Sequence, residues 1–409
     1  MMAESRPKPK SRKPTLISKL EGCGGVVNKA IIIPKEDGII SVSDDRTVRV
    51  WLKRDSGMYW PSICHSLPSA CSTMEFNTET NRIFIGLDNG SISEFSFSED
   101  YNRIIFRRDY LAHDSRVAGV IFSLMSELVL SVGRDKFLQW HDSETGRRLG
   151  GYKLNAWGTC LQFDDESKHT FVGDYSGTIT IIRVSDNGHQ LITCLNGHSG
   201  RYLTFLITGS IRSLAWDKSK KLLFSGSFDQ SIIVWDIGGN KGTAFELQGH
   251  SSKVEALFYC NQSCQLFSSG EDSRLVVWNM AAKRQETPEW QESDVCQKCN
   301  EPFFWNIKEM WNAKTIGVRQ HHCRRCGQAL CDKCSCFRST LPAMGFEFEV
   351  RVCETCSQEI TDEERAPMAT FHDVKQNVVS MHIDEVKGQL VTCGTDRVIK
   401  LWDVTSLLM

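Results

Sequence analysis

The sequence predicts a mainly β fold in which a repeated unit runs through most of the 409 residues and a small metal-binding module interrupts it. The repeat has an apolar run ending in Ser or Thr, a turn with an Asp, and an alternating segment that ends in Trp. Clear copies end at Trp51, Trp235, Trp278 and Trp402. The module is marked by eight cysteines in four C-x-x-C pairs between Cys296 and Cys356.

The spacing of the repeat indicates its architecture. Weaker copies end at Phe95, Trp140 and Ile182, and most intervals between successive copies are 42 to 45 residues. This pattern resembles the WD-repeat family, in which about 40 to 45 residues form one four-stranded blade of a β-propeller. The resemblance implies a seven-bladed WD40 β-propeller.

Two longer intervals locate insertions. The interval from Ile182 to Trp235 is 53 residues, which predicts an inserted surface loop near residues 201–209. The interval from Trp278 to Trp402 is 124 residues, about 80 more than one repeat, and it contains the cysteine module. We expect residues 366–372 to form the outer strand of blade six. The module should then lie between the last two strands of that blade and project from one rim of the ring.

The ends of the chain complete the predicted domain organisation. Only seven residues follow Trp402, so we expect the alternating run Thr15–Leu20 to supply the outer strand of blade seven and close the ring. The predicted domains are a disordered basic tail (1–14), the closing strand and blades one to six (15–283), the zinc finger (284–365), and the end of blade six with blade seven (366–409).

The polar residues of the repeat are expected to be structural. A hydroxyl residue stands four positions before the turn Asp in five copies, at Ser41, Ser131, Ser225, Ser268 and Thr392. The resemblance implies that these join the Asp, the Trp and histidines such as His198 and His250 in hydrogen-bonded braces. Two copies depart from the pattern: Cys23 stands where a histidine is expected, and Asp135 is one residue too near Trp140.

The cysteine pairs predict two structural zinc sites, because two C-x-x-C pairs supply four thiolates for one closed tetrahedral site. The short gap between the middle pairs favours an interleaved arrangement. The predicted ligand sets are Cys296, Cys299, Cys331 and Cys334 for one zinc, and Cys323, Cys326, Cys353 and Cys356 for the other. The alternative, a disulfide framework, is disfavoured by the odd total of 17 cysteines and the lack of a recognisable secretory signal.

A basic motif adjoins the second cysteine pair, and it distinguishes this finger from other zinc modules. The motif is Arg-x-His-His-Cys-Arg-x-Cys-Gly at 319–327, with Arg-Val-Cys at 351–353. It resembles the FYVE family of zinc fingers over roughly residues 290–356. The resemblance implies recognition of phosphatidylinositol 3-phosphate, with Arg319, His322, Arg324 and Arg351 on the phosphates and His321 on the inositol. It also implies insertion of Ile316 and Val318 into the membrane interface.

Two positions depart from the family pattern. The family usually has a second basic residue where Gln320 stands, so one phosphate donor is missing. The Trp-x-x-Asp signature is also displaced, since Asp294 comes one residue late after Trp290.

Charge and composition limit the classes of function that are possible. The formal net charge is −2, which argues against a chain that binds nucleic acid, whereas residues 296–356 carry nine Lys/Arg against six Asp/Glu. We expect a non-enzymatic adaptor, cytoplasmic and peripheral on early endosomes, whose finger binds phosphatidylinositol 3-phosphate while the propeller recruits signalling or trafficking proteins. A homodimer is left open. The alternatives are a RING-like ubiquitin ligase and a protein-only scaffold whose finger has lost lipid binding.

Overall fold

The computed structural model describes residues 12–185, 188–198, 209–238, 244–314 and 316–408. Strand β1 (Thr15–Leu20) comes first in the chain. Blade one then contains β2 (Val27–Ile33), β3 (Gly38–Ser43), β4 (Thr47–Lys53) and β5 (Tyr59–Ser66). Blade two contains β6 (Cys71–Asn77), β7 (Arg82–Leu87), β8 (Ser91–Phe97) and β9 (Ile104–Leu111). Blade three contains β10 (Val117–Ser123), β11 (Leu128–Gly133), β12 (Phe137–Asp142) and β13 (Arg148–Lys153).

The next blades follow the same order from the axis outward. Blade four contains β14 (Gly158–Asp164), β15 (His169–Asp174), β16 (Thr178–Ser185) and β17 (Gly188–Asn196). Blade five contains β18 (Ile211–Asp217), β19 (Leu222–Ser227), β20 (Ser231–Asp236) and β21 (Ala244–Gln248). Blade six begins with β22 (Val254–Cys260), β23 (Gln265–Gly270) and β24 (Arg274–Asn279).

The finger interrupts blade six after β24. Its elements are α1 (Ile307–Ala313), β25 (His321–His322), β26 (Ala329–Leu330), β27 (Phe337–Leu341), β28 (Phe346–Val352) and α2 (Glu354–Glu359), with 3-10 turns at Lys333–Ser335 and Pro342–Met344. Strand β29 (Ala369–Asp373) then pairs with β24 and completes blade six. The predicted position of the insertion, between the last two strands of that blade, is confirmed.

Blade seven closes the ring. It contains β30 (Val378–Asp384), β31 (Gln389–Gly394) and β32 (Ile399–Asp403). Strand β1 is its outer strand and pairs antiparallel with β32, with Leu20 opposite Ile399 and Thr15 opposite Asp403. The predicted closure is therefore confirmed, and it joins the beginning of the described chain to its last strand. The predicted loop at 201–209, apart from Gly209, and residues 1–11 of the predicted tail lie outside the described residues.

The hydrophobic core lies between neighbouring blades. All six residues of β3 and all six of β11 are buried, because the second strand of a blade is covered on both of its faces. Such strands appear in the sequence as continuous apolar runs, whereas outer strands such as β5 and β9 are mostly exposed or half-buried. The ring is held together mainly by these contacts between blades.

The predicted polar braces are present in several blades. In blade six the Ser268 hydroxyl lies 2.7 Å from Nε2 of His250 and accepts from Nε1 of Trp278 at 2.8 Å, while Nδ1 of His250 lies 2.9 Å from Asp272. In blade five the same contacts join Ser225, His198, Asp229 and Trp235. In blade seven Gln376 replaces the histidine and contacts Thr392 at 2.7 Å. Each brace satisfies polar groups that would otherwise be buried without partners.

Loss of one brace hydroxyl should destabilise the propeller. Ser268→Ala leaves both His250 Nε2 and the Trp278 indole N–H without a partner, at a cost of about 1–3 kcal/mol for each buried group. Urea unfolding followed by circular dichroism should show a lower midpoint. The matched control is Ser131→Ala in blade three. Trp140 Nε1 has no partner there among the described residues, so only His113 Nε2 loses a contact and the loss of stability should be smaller. An equal loss in the two variants would contradict the brace as the source of stability.

The finger also contacts blade five, which the sequence did not predict. Phe346 of β28 pairs with Gln248 of β21 in a parallel bridge, and the Gln248 N–H donates to the carbonyl of Gly345 at 2.8 Å. The hairpin of β27 and β28 thereby extends blade five to a six-stranded sheet. Gly345 has φ +87°, and a Cβ at this position would lie 1.8 Å from the carbonyl oxygen of Glu246. The finger is therefore fixed along the outer edge of blade five.

Candidate metal centres and phosphate site

The eight cysteines of the finger form two clusters. Within each cluster the four sulfur atoms lie within 4.8 Å of one another. One cluster contains Cys296, Cys299, Cys331 and Cys334, and the other contains Cys323, Cys326, Cys353 and Cys356. The structure thus brings the pairs together in the interleaved order that their spacing predicts, first with third and second with fourth.

The clusters fit zinc. The sulfurs of Cys299 and Cys331 are 3.7 Å apart, close to the edge of about 3.8 Å expected for a tetrahedron with Zn–S bonds of about 2.3 Å. Backbone N–H groups donate to the sulfurs, from Cys331 to Cys296 and from Cys353 to Cys323, both at 3.3 Å. Burial alone would raise the pKa of Cys296, but backbone N–H donors lower it to about 7. None of the 17 cysteines forms a disulfide. Each cluster can hold one zinc ion in a closed, structural site.

The cysteine clusters position the basic motif. His321 and His322 form β25, which pairs with β26 and leads directly into Cys323. The N–H of Arg324 donates to the carbonyl of Arg351 at 3.0 Å, so the backbones of the two arginines are adjacent although they are far apart in the sequence. The side chain of Arg319 is exposed at the start of the motif. Four of the five predicted headgroup residues are thus placed on two neighbouring backbone segments beside the second cluster.

Trp290 organises two residues of this site. Its ring stacks on the His322 imidazole, with centroids 4.8 Å apart and planes inclined by 12°, and the guanidinium carbon of Arg324 lies 4.6 Å from the Trp290 centroid. The sequence identified Trp290 only as part of a displaced signature. The other half of that signature, Asp294, accepts a hydrogen bond from Trp305 Nε1 at 3.0 Å. The aromatic contacts hold His322 and Arg324 by stacking and by cation–π attraction.

Arg351 is held by an acidic neighbour. Its Nη1 lies 2.6 Å from Asp332 Oδ1 and donates to the carbonyl of Ser335 at 3.0 Å. His321 Nε2 lies 3.8 Å from the same carboxylate. Burial lowers the pKa of His321 and so does the nearby Arg351, and the Arg351 hydrogen bond lowers the pKa of Asp332. Asp332 therefore fixes the direction of Arg351 and occupies one of its donors.

The two residues predicted to enter the membrane differ in exposure. The side chain of Ile316 is 87 % exposed. Val318 is half-buried and packs against the core of the finger, with its N–H donating to the carbonyl of Pro302 at 2.9 Å. Backbone pairing turns Val318 inward, whereas Ile316 lies at the exposed tip, and membrane insertion of both residues stays a prediction.

Helix α1 adds apolar surface that the sequence reasoning missed. Ile307 and Trp311 lie one helical turn apart and are 72 % and 84 % exposed. The sulfur of Met310 accepts from the N–H of Gly317 at 3.0 Å, which places α1 beside the loop that carries Ile316. The four-residue spacing of Ile307 and Trp311 was the available signal. In the described part of the chain, no helix has the length and hydrophobicity needed to cross a bilayer.

Comparisons with known proteins agree with the two parts of the fold. The FYVE zinc finger family matches residues 287–362, and the WD domain, G-beta repeat family matches residues 14–51, 165–236, 242–279 and 366–403. A solved structure, the WD40 beta propeller domain of Doa1, superposes with a TM-score of 0.59 at 14 % identity and covers 95 % of this chain and 96 % of its own, which shows the propeller fold alone.

Curated relatives extend over the whole chain. WD repeat and FYVE domain-containing protein 2 of Homo sapiens is 57 % identical over 408 residues and covers 100 % of both chains. Protein 1 of the same name from Mus musculus is 51 % identical, covering 100 % of this chain and 97 % of its own. The Caenorhabditis elegans protein 2 is 41 % identical over 399 residues, which are 97 % of this chain and 94 % of its own. The chain belongs to the family of WD repeat and FYVE domain-containing proteins.

Proposed function

We propose that this protein is an adaptor that docks on early endosomes by binding phosphatidylinositol 3-phosphate with its FYVE finger and recruits proteins with its propeller. The observation that carries the proposal is the convergence of His321, His322, Arg324 and Arg351 on two backbone segments beside the second zinc cluster. Arg319 extends this set at its exposed end. No catalytic family is indicated for either part of the chain, and both families consist of binding modules.

The headgroup is bound by charge-assisted hydrogen bonds. Each arginine offers a planar fork of donors that matches phosphate oxygens, and such bonds are stronger than neutral ones. A zinc ion held by the second cluster would fix Cys323 and Cys353, and with them the backbones of Arg324 and Arg351. Because the donors are held in place before the lipid arrives, little conformational entropy is lost on binding. Burial lowers the pKa of both histidines, so they are mainly neutral at pH 7 before binding.

The membrane contact includes more than the headgroup. A single weak anchor gives marginal membrane binding, so stable docking needs a second contribution. Ile316, Ile307 and Trp311 supply it by entering the interface together, since all three are exposed and the loop and helix that carry them are in contact. Tryptophan is favoured at this depth because its ring is apolar and its N–H can reach water. Lys308 and Lys314, on the same segment, are exposed and suit an anionic leaflet.

Titration of the full-length, zinc-loaded protein with inositol 1,3-bisphosphate tests the headgroup site. We expect saturable binding by isothermal titration calorimetry and clearly weaker binding of the 1,4-isomer. This soluble ligand has no acyl chains, so the result is independent of membrane insertion. Equal binding of the two isomers, or no binding of either, would contradict the proposed headgroup site.

Trp311→Ala and Ile316→Ser should separate the two contributions. Both variants are expected to bind inositol 1,3-bisphosphate like the wild type but to bind lipid vesicles about tenfold to a hundredfold more weakly, since removing one buried apolar side chain costs about 1.5–3 kcal/mol. Vesicle sedimentation measures the second quantity. Val318→Ala is the less suitable test of insertion, since Val318 packs in the finger core. Vesicle binding that is unchanged in Trp311→Ala would show that α1 does not enter the membrane.

A protein-only scaffold is the second candidate function. Gln320 supplies no charge where the family usually has a basic residue, its amide lies 3.5 Å from the carbonyl of Ser293, and Asp332 engages Arg351. These contacts favour a weaker headgroup site than the family pattern implies. The propeller would then act without the membrane, and the calorimetric experiment distinguishes the two functions.

A further inference from the structure

One backbone hydrogen bond recurs in all seven blades and defines one face of the ring. In each blade the residue just beyond the second strand donates its N–H to the carbonyl of the residue just before the first strand. The pairs are Asp44–Val26, Asp88–Ala70, Arg134–Arg116, Tyr175–Trp157, Phe228–Ser210, Glu271–Lys253 and Thr395–Asn377. Because the inner strands surround the central channel, these fourteen residues occupy equivalent positions around one mouth of it.

The side chains around this mouth are unevenly distributed. Blades one and two contribute the acidic Asp44 and Asp88, whereas blades three to five contribute what we term the channel arc, Arg134, Trp157, Tyr175, Arg212 and Phe228. The Trp157 and Tyr175 rings lie 5.5 Å apart and are 47 % and 42 % exposed. The guanidinium carbon of Arg212 lies 5.3 Å from the Phe228 centroid. Arginine, tryptophan and tyrosine are the residues that contribute most to protein–protein binding energy.

One cation of the channel arc has no ion-pair partner among the described residues. Arg116 is paired with Asp88 at 2.9 Å, and Arg212 is paired with Glu255 at 2.9 Å. The guanidinium of Arg134 makes no hydrogen bond or ion pair with any residue that the structure describes, and Arg134 lines the same cavity as both arginines. Burial lowers the pKa of Arg134, the neighbouring Arg116 and Arg212 lower it further, and Asp88 partly offsets them by raising it. A bound anion would relieve this repulsion.

The cavity beside the channel arc limits the size of a ligand. Its volume is about 520 Å³, and Arg116, Arg134 and Arg212 line it together with the acidic Glu75, Asp165 and Glu255. This volume admits a side chain or a short extended segment but not a folded domain. Asp88 pairs with Arg116 at 2.9 Å and Asp44 lies 4.0 Å from the same guanidinium, so both carboxylates at this mouth face a cation of blade three. Because Arg134 alone of these three arginines lacks a partner among the described residues, the arrangement favours a peptide that brings one carboxylate over a nucleic acid, which carries a charge on every phosphate.

We propose that the channel arc binds an extended acidic protein segment, with a carboxylate on Arg134 and an apolar side chain against the Trp157–Tyr175 pair. The inference deepens the proposed recruiting role of the propeller and is independent of lipid binding. It assigns the partner by chemistry: a linear segment in which acidic residues flank a large apolar one. The apolar contact supplies affinity, and the charges select the partner and speed its association.

Fluorescence anisotropy with labelled peptides of about 12 residues tests this site. The probe carries Asp and Glu on both sides of a central Leu, and the control peptides replace the acidic residues by Lys or the Leu by Ser. The full-length protein should bind the acidic peptide, and its affinity for each control peptide should be clearly lower. Arg134→Glu should weaken binding about tenfold or more, because like charges then face each other, and Trp157→Ala should weaken it several-fold.

A matched control lies on the same face. Arg397, in blade seven, is exposed near the same mouth but outside the channel arc, so Arg397→Glu should leave peptide binding unchanged. Arg134→Gln, which removes the charge without adding one, replaces Arg134→Glu if the latter shows an altered circular dichroism spectrum.

Three results would overturn the proposal: no binding of the acidic peptide, equal binding of the lysine peptide, or equal losses in Arg134→Glu and Arg397→Glu. Binding of oligo-dT with the same dependence on Arg134, in place of the acidic peptide, would assign the arc to nucleic acid instead. Vesicle sedimentation of Arg134→Glu should match the wild type. If the wild-type protein does not bind lipid vesicles, the proposed lipid function is refuted and this inference is unaffected.

Discussion

Removal of zinc is expected to unfold the finger, abolish vesicle binding and leave the propeller folded. The buried core of the finger consists of five of the zinc ligands and eight apolar residues such as Phe303 and Leu330. Structural zinc contributes about 10–16 kcal/mol of apparent binding free energy to small fingers, which is more than such a core can supply alone. The propeller has its own cores between blades. A chelator should thus eliminate membrane binding while circular dichroism retains the β signal of the ring.

Cys323→Ser and Cys336→Ser make the same test by substitution. Cys323 belongs to the cluster beside the basic motif, whereas Cys336 is exposed and belongs to neither cluster. We expect Cys323→Ser to lose about one zinc per chain and all vesicle binding, and Cys336→Ser to keep both, with metal measured by atomic emission. Persistent vesicle binding by the chelated protein would show that the membrane contact does not depend on the folded finger.

Arg324→Ala is expected to weaken inositol 1,3-bisphosphate binding by about tenfold to a hundredfold, because a hydrogen bond to a charged group contributes about 1.5–3 kcal/mol. Arg325→Ala is the matched control. Arg325 is the next residue, yet its guanidinium pairs with Glu359 at 2.7 Å and Glu364 at 3.3 Å, so it serves the structure of the finger. Its removal should leave headgroup affinity close to that of the wild type.

Gln320→Arg tests the same site in the opposite direction. The substitution restores the cation that the family pattern has at this position, and we expect headgroup affinity to rise by about tenfold. Equal affinities of wild type, Arg324→Ala and Gln320→Arg in calorimetry would place the headgroup elsewhere. A loss in Arg325→Ala as large as that in Arg324→Ala would indicate damage to the fold, not removal of a ligand contact.

The zinc clusters and the ring closure could be predicted because their signals lie in residue types and repeat spacing. A C-x-x-C pair places two sulfurs within one turn of the chain. The basic residues of the motif at 319–327 are direct neighbours of such a pair in the sequence. The closing strand Thr15–Leu20 followed from counting strands, since the last repeat lacked one. These features depend on residue types and spacing, and both are visible in the chain itself.

The contacts that the sequence did not predict are those that depend on the packing of distant segments. The bridge from Phe346 to Gln248 requires Gly345 at a close approach to blade five. Val318 turns inward because its N–H pairs with the carbonyl of Pro302. The sequence pattern around Ile316 does not reveal this pairing. Trp290 contacts His322 and Arg324 only after the finger has folded. Orientation of a side chain near a metal site thus follows from tertiary pairing.

Fixed attachment of the finger has a functional consequence. The hairpin of β27 and β28 continues blade five, so membrane docking through Ile316 and the basic motif would hold the ring in one orientation. The channel arc would then present itself to partners in a defined direction, which favours recruitment at the membrane surface.

Sedimentation of the zinc-loaded, full-length protein with vesicles tests the central claim most directly. The vesicles share one lipid background and contain phosphatidylinositol, its 3-phosphate, its 4-phosphate or its 5-phosphate. The proposed function predicts that the protein sediments with the 3-phosphate vesicles and stays largely in the supernatant with the others. Equal sedimentation with all three phosphates, or none with the 3-phosphate, would contradict it.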